Sequence, residues 1–211
     1  MIAIEEKKDA AISEIDSFCN VDYEAALCLE DYVIMLLQEN NKFNLIGKST
    51  IADIWNRHIL DSAQILRFID DYDKKIADFG SGAGLPGIVI SILGAKEVHL
   101  IEKSVRKCEF LNKAKIISKN NIFVHQAKLE EVGNIKFDII TSRALASLKD
   151  LLMYSDKFLS KDGYCLFLKG KKLPEEIAEA KKFFDFEYQL FDSLTADESK
   201  VIRVSNINNN S

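Results

Sequence analysis

"IADFGSGAGLPGIVI", residues 76–90, begins as an apolar strand-like run, breaks into four glycines within eight residues and resumes as a second apolar run. Glycines at that density after a first strand allow a tight strand-to-helix turn and let a ligand approach where no β-carbon stands. The turn is not a Walker phosphate loop, because no Gly-Lys-Ser or Gly-Lys-Thr follows it. Gly82-Ala-Gly84-Leu-Pro-Gly87 does satisfy the G-x-G-x-x-G spacing of nucleotide-cofactor loops. Glu102 lies 20 residues after Gly82, where an acid grips ribose hydroxyls. A dinucleotide and another adenosine cofactor both meet that pattern.

Outward from the loop, short apolar runs alternate with helical stretches, the signature of βαβ units and a mostly parallel sheet. The pattern predicts strands over 75–79, 98–101, 122–125, 137–141 and 164–169, with helices over 86–93, 105–118, 148–159 and 174–184. Two further runs, "FEYQLFDSL" and "SKVIRVS", have only a few polar residues between them and no helix. So short a link suits a hairpin, which ends a seven-stranded sheet with an antiparallel strand. "NINNNS", 206–211, reads as a flexible tail.

Before the sheet, residues 1–70 read as a helical extension to the domain over 71–205. Ile4, Ala11, Ile15 and Phe18, then Ala26, Leu29, Val33, Leu36 and Leu37, then Ile51, Ile54, Trp55, Ile59 and Ile65 recur at three- and four-residue spacings. Asp22 and Ser49 stand where caps of the second and third helices belong. With 211 residues, 47% of them hydrophobic, the chain is long enough for one substantial core. An acid- and lysine-bearing start and the shortness of its apolar runs predict a protein neither secreted nor in a membrane. Cys19, Cys28, Cys108 and Cys165 lie far apart with no C-x-x-C pair, which argues against a metal site and a disulfide framework and suits a reducing cytoplasm; a monomer is expected. The net charge of −5 requires any nucleic-acid partner to meet a local basic patch.

Two features turn the loop toward S-adenosylmethionine. Asp78 puts a carboxylate just before the glycines, where a pyrophosphate would be repelled and a sulfonium would not. A closing antiparallel hairpin is also the form this loop takes in class I (Rossmann-like) methyltransferases. No Asp/Asn-Pro-Pro-aromatic motif follows the fourth strand, as exocyclic amine methylation would need, and no cysteine sits in an activating context for attack on cytosine. Instead Arg143 follows the fourth strand and Lys169, Lys171 and Lys172 the fifth, at the edge where α/β sheets bind ligands. His58 lies near an apolar stripe with Asp61 three residues on, placed to orient its imidazole, and Trp55 beside it reads as packing. From these residues alone, methylation of a small molecule or protein, cofactor sensing without chemistry, and NAD-linked oxidoreduction all stay open.

"NLI" (44–46), "RHILDS" (57–62), "DFGSGAGLPGI" (78–88), "SRALASL" (142–148) and "LKG" (168–170), in that order, resemble the glucose-inhibited division protein B family, the bacterial small-subunit rRNA guanine-N7 methyltransferases. The resemblance runs over 44–172. It implies a cytoplasmic enzyme that uses S-adenosylmethionine to methylate N7 of one guanine in a loop of 16S rRNA, either free or in the assembling small subunit. It also implies cofactor contacts at Gly80, Leu85, Leu129, Glu130 and Arg143, beside the loop's own Gly82, with Glu102 on the ribose. His58, Asp61, Arg143 and Lys169 become positioning candidates, and Arg57, His58, Lys169, Lys171 and Lys172 face the RNA. Glu102 departs from the Asp of many members, and the end of the chain matches the family only loosely.

Overall fold

The computed structural model describes residues 2–210; Met1 and Ser211 lie outside it, as do the side chains of residues 2–6, the apolar position at Ile4 among them. Helix α1 (Ile2–Asp16) is followed by α2 (Tyr23–Asn40), whose cap is Asp22 accepting the Ala25 N–H at 2.7 Å. The third helical stretch is not one helix capped by Ser49. It runs as 3-10 turns over Lys48–Asp53, a π-helical turn over Trp55–Leu60, the short α3 (Asp61–Ala63) and a last 3-10 turn over Gln64–Phe68. Gly47 occupies the cap position. The Thr50 hydroxyl donates back to the Gly47 carbonyl at 2.7 Å, so Thr50 rather than Ser49 tightens the start.

Strands β1 (Lys75–Phe79), β2 (Glu97–Glu102), β3 (Asn121–Gln126), β4 (Phe137–Arg143), β5 (Leu159–Lys169), β6 (Phe184–Asp192) and β7 (Lys200–Asn209) form one sheet in the order β3-β2-β1-β4-β5-β7-β6. The first five strands are parallel; β7 enters between β5 and β6 and is antiparallel to both. Helices α4 (Gly87–Ile92), α5 (Val105–Ala114), α6 (Leu148–Phe158) and α7 (Leu173–Ala180) fill the connections. The expected tail is strand as far as Asn209: Asn208 and Asn209 stand opposite Asp185 and Phe184. Backbone pairing needs no apolar side chain, and one extra residue on β7, with Asn206 at φ +52°, makes a bulge that Asn tolerates.

Period-two alternation splits the core between the two faces. Ile76, Ile139, Tyr164, Leu166 and Leu168 pack with α1, α2, the 48–68 stretch, α4 and α5, while Ala77, Phe79, Ile140, Cys165 and Phe167 pack with α6 and α7. The N-terminal helices therefore share a continuous core with one face of the sheet.

Candidate active site

Gly80, Gly82 and Gly84 take φ of +67°, +58° and +88°, backbone that side-chain-bearing residues rarely adopt. The end of β2 shapes this loop. The Ile101 carbonyl accepts the N–H groups of Gly80 and Ser81 at 2.9 and 3.2 Å, and Glu102 accepts those of Gly82 and Ser104 at 3.0 and 2.8 Å. From α2, the buried Tyr32 hydroxyl donates to the Ala83 carbonyl at 2.7 Å. A β-carbon at Gly87 would lie 2.3 Å from Leu100, so that glycine serves helix–strand packing; at Gly82 it would meet only the Gly80 carbonyl oxygen, at a van der Waals distance of 3.7 Å.

Asp78 does not stand where the sequence reading puts it. Strand alternation turns it toward α4, fully buried, where one oxygen accepts the Gly87 N–H at 3.0 Å and the other has no partner. Burial pushes its carboxyl up to about 7. It lines neither cavity at the loop and so is not placed to repel a pyrophosphate there. Glu102 is the acid beside the ligand space.

Two cavities open on the loop and meet at Gly80, Leu145 and Ala146. The smaller, about 300 Å³, is walled by Ile101, Glu102, Leu129 and Glu130. Its residues fit an adenosine. Each Glu102 oxygen accepts one backbone N–H and has a lone pair left for a ribose hydroxyl, and Ile101 and Leu129 offer apolar surface to a purine. Glu130 accepts the Tyr154 hydroxyl at 2.5 Å, which ties that wall to α6. The larger cleft, about 810 Å³, is bordered by Gly82, Leu85, Arg57, His58, Arg143 and Lys169 among others.

Arg143 is the hub of the larger cleft. Its guanidinium donates to the Arg57 carbonyl at 3.1 Å, to Asp61 at 3.2 Å and to His58 Nδ1 at 3.0 Å. His58 Nε2 lies 2.7 Å from the Thr50 hydroxyl. Since Arg143 only donates, His58 must accept at Nδ1 and carry its proton on Nε2. Burial, with Arg143 beside it, pushes this imidazole down to about 4, and it is neutral. Asp61 therefore does not orient His58. The guanidinium binds both, while the other Asp61 oxygen accepts from Gln64 at 2.9 Å and from the Thr195 hydroxyl at 2.7 Å.

The Lys169 side chain is 8% exposed, paired with Glu176 and donating to the Ala146 carbonyl at 2.9 Å. Glu176 in turn accepts the Leu148 N–H at 2.7 Å. The pair pins the 144–147 turn, in which Ala144 sits at φ +54° and Leu145 lies over Gly80. Arg57, which borders the larger cleft, is exposed, as are Lys171 and Lys172 just after Gly170. Sequence reasoning missed Tyr32, Gln64 and Thr195 and gave no role to Leu145, although it lies inside the SRALASL motif; Tyr32 sits mid-helix among apolar residues, and nothing local marks Gln64 or Thr195. Trp55 is core, and the four cysteines are free, with burial pushing Cys165 up to about 12. Among the described residues no group of three His, Cys, Asp or Glu is placed to hold a metal, and no helix is long and apolar enough to cross a membrane.

A parallel sheet whose antiparallel seventh strand enters between the fifth and sixth, with a glycine loop after β1 and an acid ending β2, defines a class I methyltransferase fold. Solved structures with this fold include the ribosomal protein L11 methylase of Lactobacillus delbrueckii subsp. bulgaricus, 23% identical with a TM-score of 0.58 over 71% of this chain and 78% of that one. The glycopeptide N-methyltransferase MtfA, solved with S-adenosyl-L-methionine, is 10% identical with a TM-score of 0.55 over 68% and 91%. The chain belongs to the GidB family, rRNA small subunit methyltransferase G, whose model matches residues 26–201. Ribosomal RNA small subunit methyltransferase G of Rickettsia felis is 42% identical over 179 residues, 85% of this chain and 92% of that protein.

Proposed function

We infer that this protein transfers the methyl group of S-adenosylmethionine to N7 of a guanine in 16S rRNA, acting as a monomer in the cytoplasm. The observation that carries the reading is family membership over residues 26–201, with the glycine loop and Glu102 inside that span. The cofactor, when bound, supplies an electrophilic methyl on a sulfonium; the N7 lone pair takes it, the S–C electron pair returns to sulfur and no proton moves.

The chain's residues therefore position rather than deprotonate. His58, the imidazole of the cleft, has both nitrogens engaged and is no free base. Glu102 and the bare loop backbone hold the adenosine side, and Arg143, fixed by three acceptors, sets the opposite wall. Guanine N7 is out of reach in the deep groove of an RNA duplex, so the target is an unstacked base, met by Arg57, Lys171 and Lys172 at the rim. Tritium from labelled cofactor is expected in 16S rRNA, with strand cleavage mapping it to an N7-methylguanine. Label only in protein or small molecules, or at another RNA atom, overturns the reading.

A further inference from the structure

Beyond Gly170 and Lys200 the cleft continues into a second hollow of about 480 Å³. Leu173, Pro174 and Ile177 at the start of α7 form one wall, and Tyr188 and Leu190 of β6 the other. Tyr188 and Leu190 are two residues apart, share a face of an edge strand, and are 38% and 46% exposed. Edge strands are ordinarily blunted by charge, and large apolar side chains left open beside a ligand cleft mark a binding surface. Lys171 and Lys200 line the hollow with one acid, Glu198, and the Lys181 ammonium lies over the Tyr188 ring, 5.0 Å from its centroid. Lys200 is paired with Asp192, while Lys171 and Lys172 are exposed.

We propose that this hollow seats a second unstacked base of the substrate RNA, a near neighbour of the target guanine, against Tyr188, with the connecting phosphates beside Lys171 and Lys172. The inference rests on the rRNA reading above and deepens it. Aromatic and apolar walls under a lysine rim are what single-stranded nucleic acid uses, because every base has a stacking face and every link a charge. Continuity with the cleft lets one strand enter both. A target held outside a duplex has unpaired neighbours that need somewhere to go.

The test uses the shortest rRNA fragment that the wild-type protein methylates, made with an abasic nucleotide at each position flanking the target in turn. Tyr188→Ala is expected to weaken binding of the intact fragment about tenfold, with Tyr188→Phe near wild type and S-adenosylmethionine affinity unmoved. One abasic position is expected to cost the wild type a similar factor, and the two losses are expected not to multiply. Tyr188→Ala binding as wild type, or its loss multiplying with every abasic position, overturns the proposal. So does a loss seen on assembled subunits and not on naked RNA, which would give the hollow to a ribosomal protein. Methyl transfer by the wild type to 16S rRNA, offered both free and in small subunits, is the separating control. Its failure overturns the function, while its success with Tyr188-independent binding overturns the hollow alone.

Discussion

The glycine-loop half of the cleft centres on the backbone of residues 80–87 and 101–104, with Leu129 and Glu130 as its far wall and Glu102 bonding an amide 20 residues away. The Arg143 half is made of side chains from distant segments: Arg143 reaches His58 across 85 positions, and Thr195 reaches Asp61 across 134. The first half depends on the conformations a short stretch is allowed, and the second on three parts of the chain arriving together. A substitution in the loop should damage one ligand contact, whereas one at Arg143 should loosen several segments.

Gly82→Val should have the largest effect. A left-handed position costs an ordinary residue about 1–2 kcal/mol and a β-branched one more, and the branch would enter the open side of the loop. Cofactor affinity should fall at least about tenfold in calorimetric titration of the folded variant; unchanged affinity would break the view of this half as bare backbone.

Arg143→Ala should lower methyl transfer at least about tenfold and cost about 1–3 kcal/mol of stability, because His58 Nδ1 and an Asp61 oxygen lose their donor. Arg143→Lys should recover little, since an ammonium cannot reproduce the planar fork. Full rescue by lysine in denaturant melts would dismiss the hub. Glu102→Ala should weaken S-adenosylmethionine by about 1–3 kcal/mol with stability less affected, and equal losses of affinity and stability would erase the contrast between the halves.

The halves should also differ in sign with pH. Asp78, raised from 3.8 to about 7 by burial, holds a proton in the folded state that the unfolded chain has released, so it makes stability fall as pH rises from about 4 to 7. His58, lowered from 6.5 to about 4, stays neutral when folded while the unfolded chain takes up a proton, so its contribution is lost as pH falls through the same window. Each slope approaches about 1.4 kcal/mol per pH unit, and the two oppose. Relative to wild type, Asp78→Asn should tilt the pH–stability curve upward and His58→Asn downward; the same tilt for both would refute one burial.

The smallest effect belongs to the rim. Lys171→Ala and Lys172→Ala should each reduce the slope of log RNA affinity against log salt by about 0.7–0.9, leaving cofactor affinity intact. Lys169→Ala should instead lower stability and loosen the 144–147 turn, because its charge is already paired with Glu176. A Lys169 variant that changed only the salt slope would return it to the RNA side.

The glycine turn, the alternation that makes the parallel strands, the closing hairpin, the Asp22 cap and the spacing of Glu102 from the loop are legible in the order of the residues. These are rules of period and local conformation, carried by residues close in the chain. That β7 enters between β5 and β6 and carries strand to Asn209 comes from the packing of the folded chain. That packing alone turned Asp78 inward, since a strand residue's face depends on what covers the sheet. It alone set Arg143 between His58 and Asp61, where the chain runs as a π-helical turn over Trp55–Leu60 into α3. Spacing along a chain says which residues share a face. Which partner arrives at that face depends on packing between segments far apart in sequence, and no local pattern encodes it.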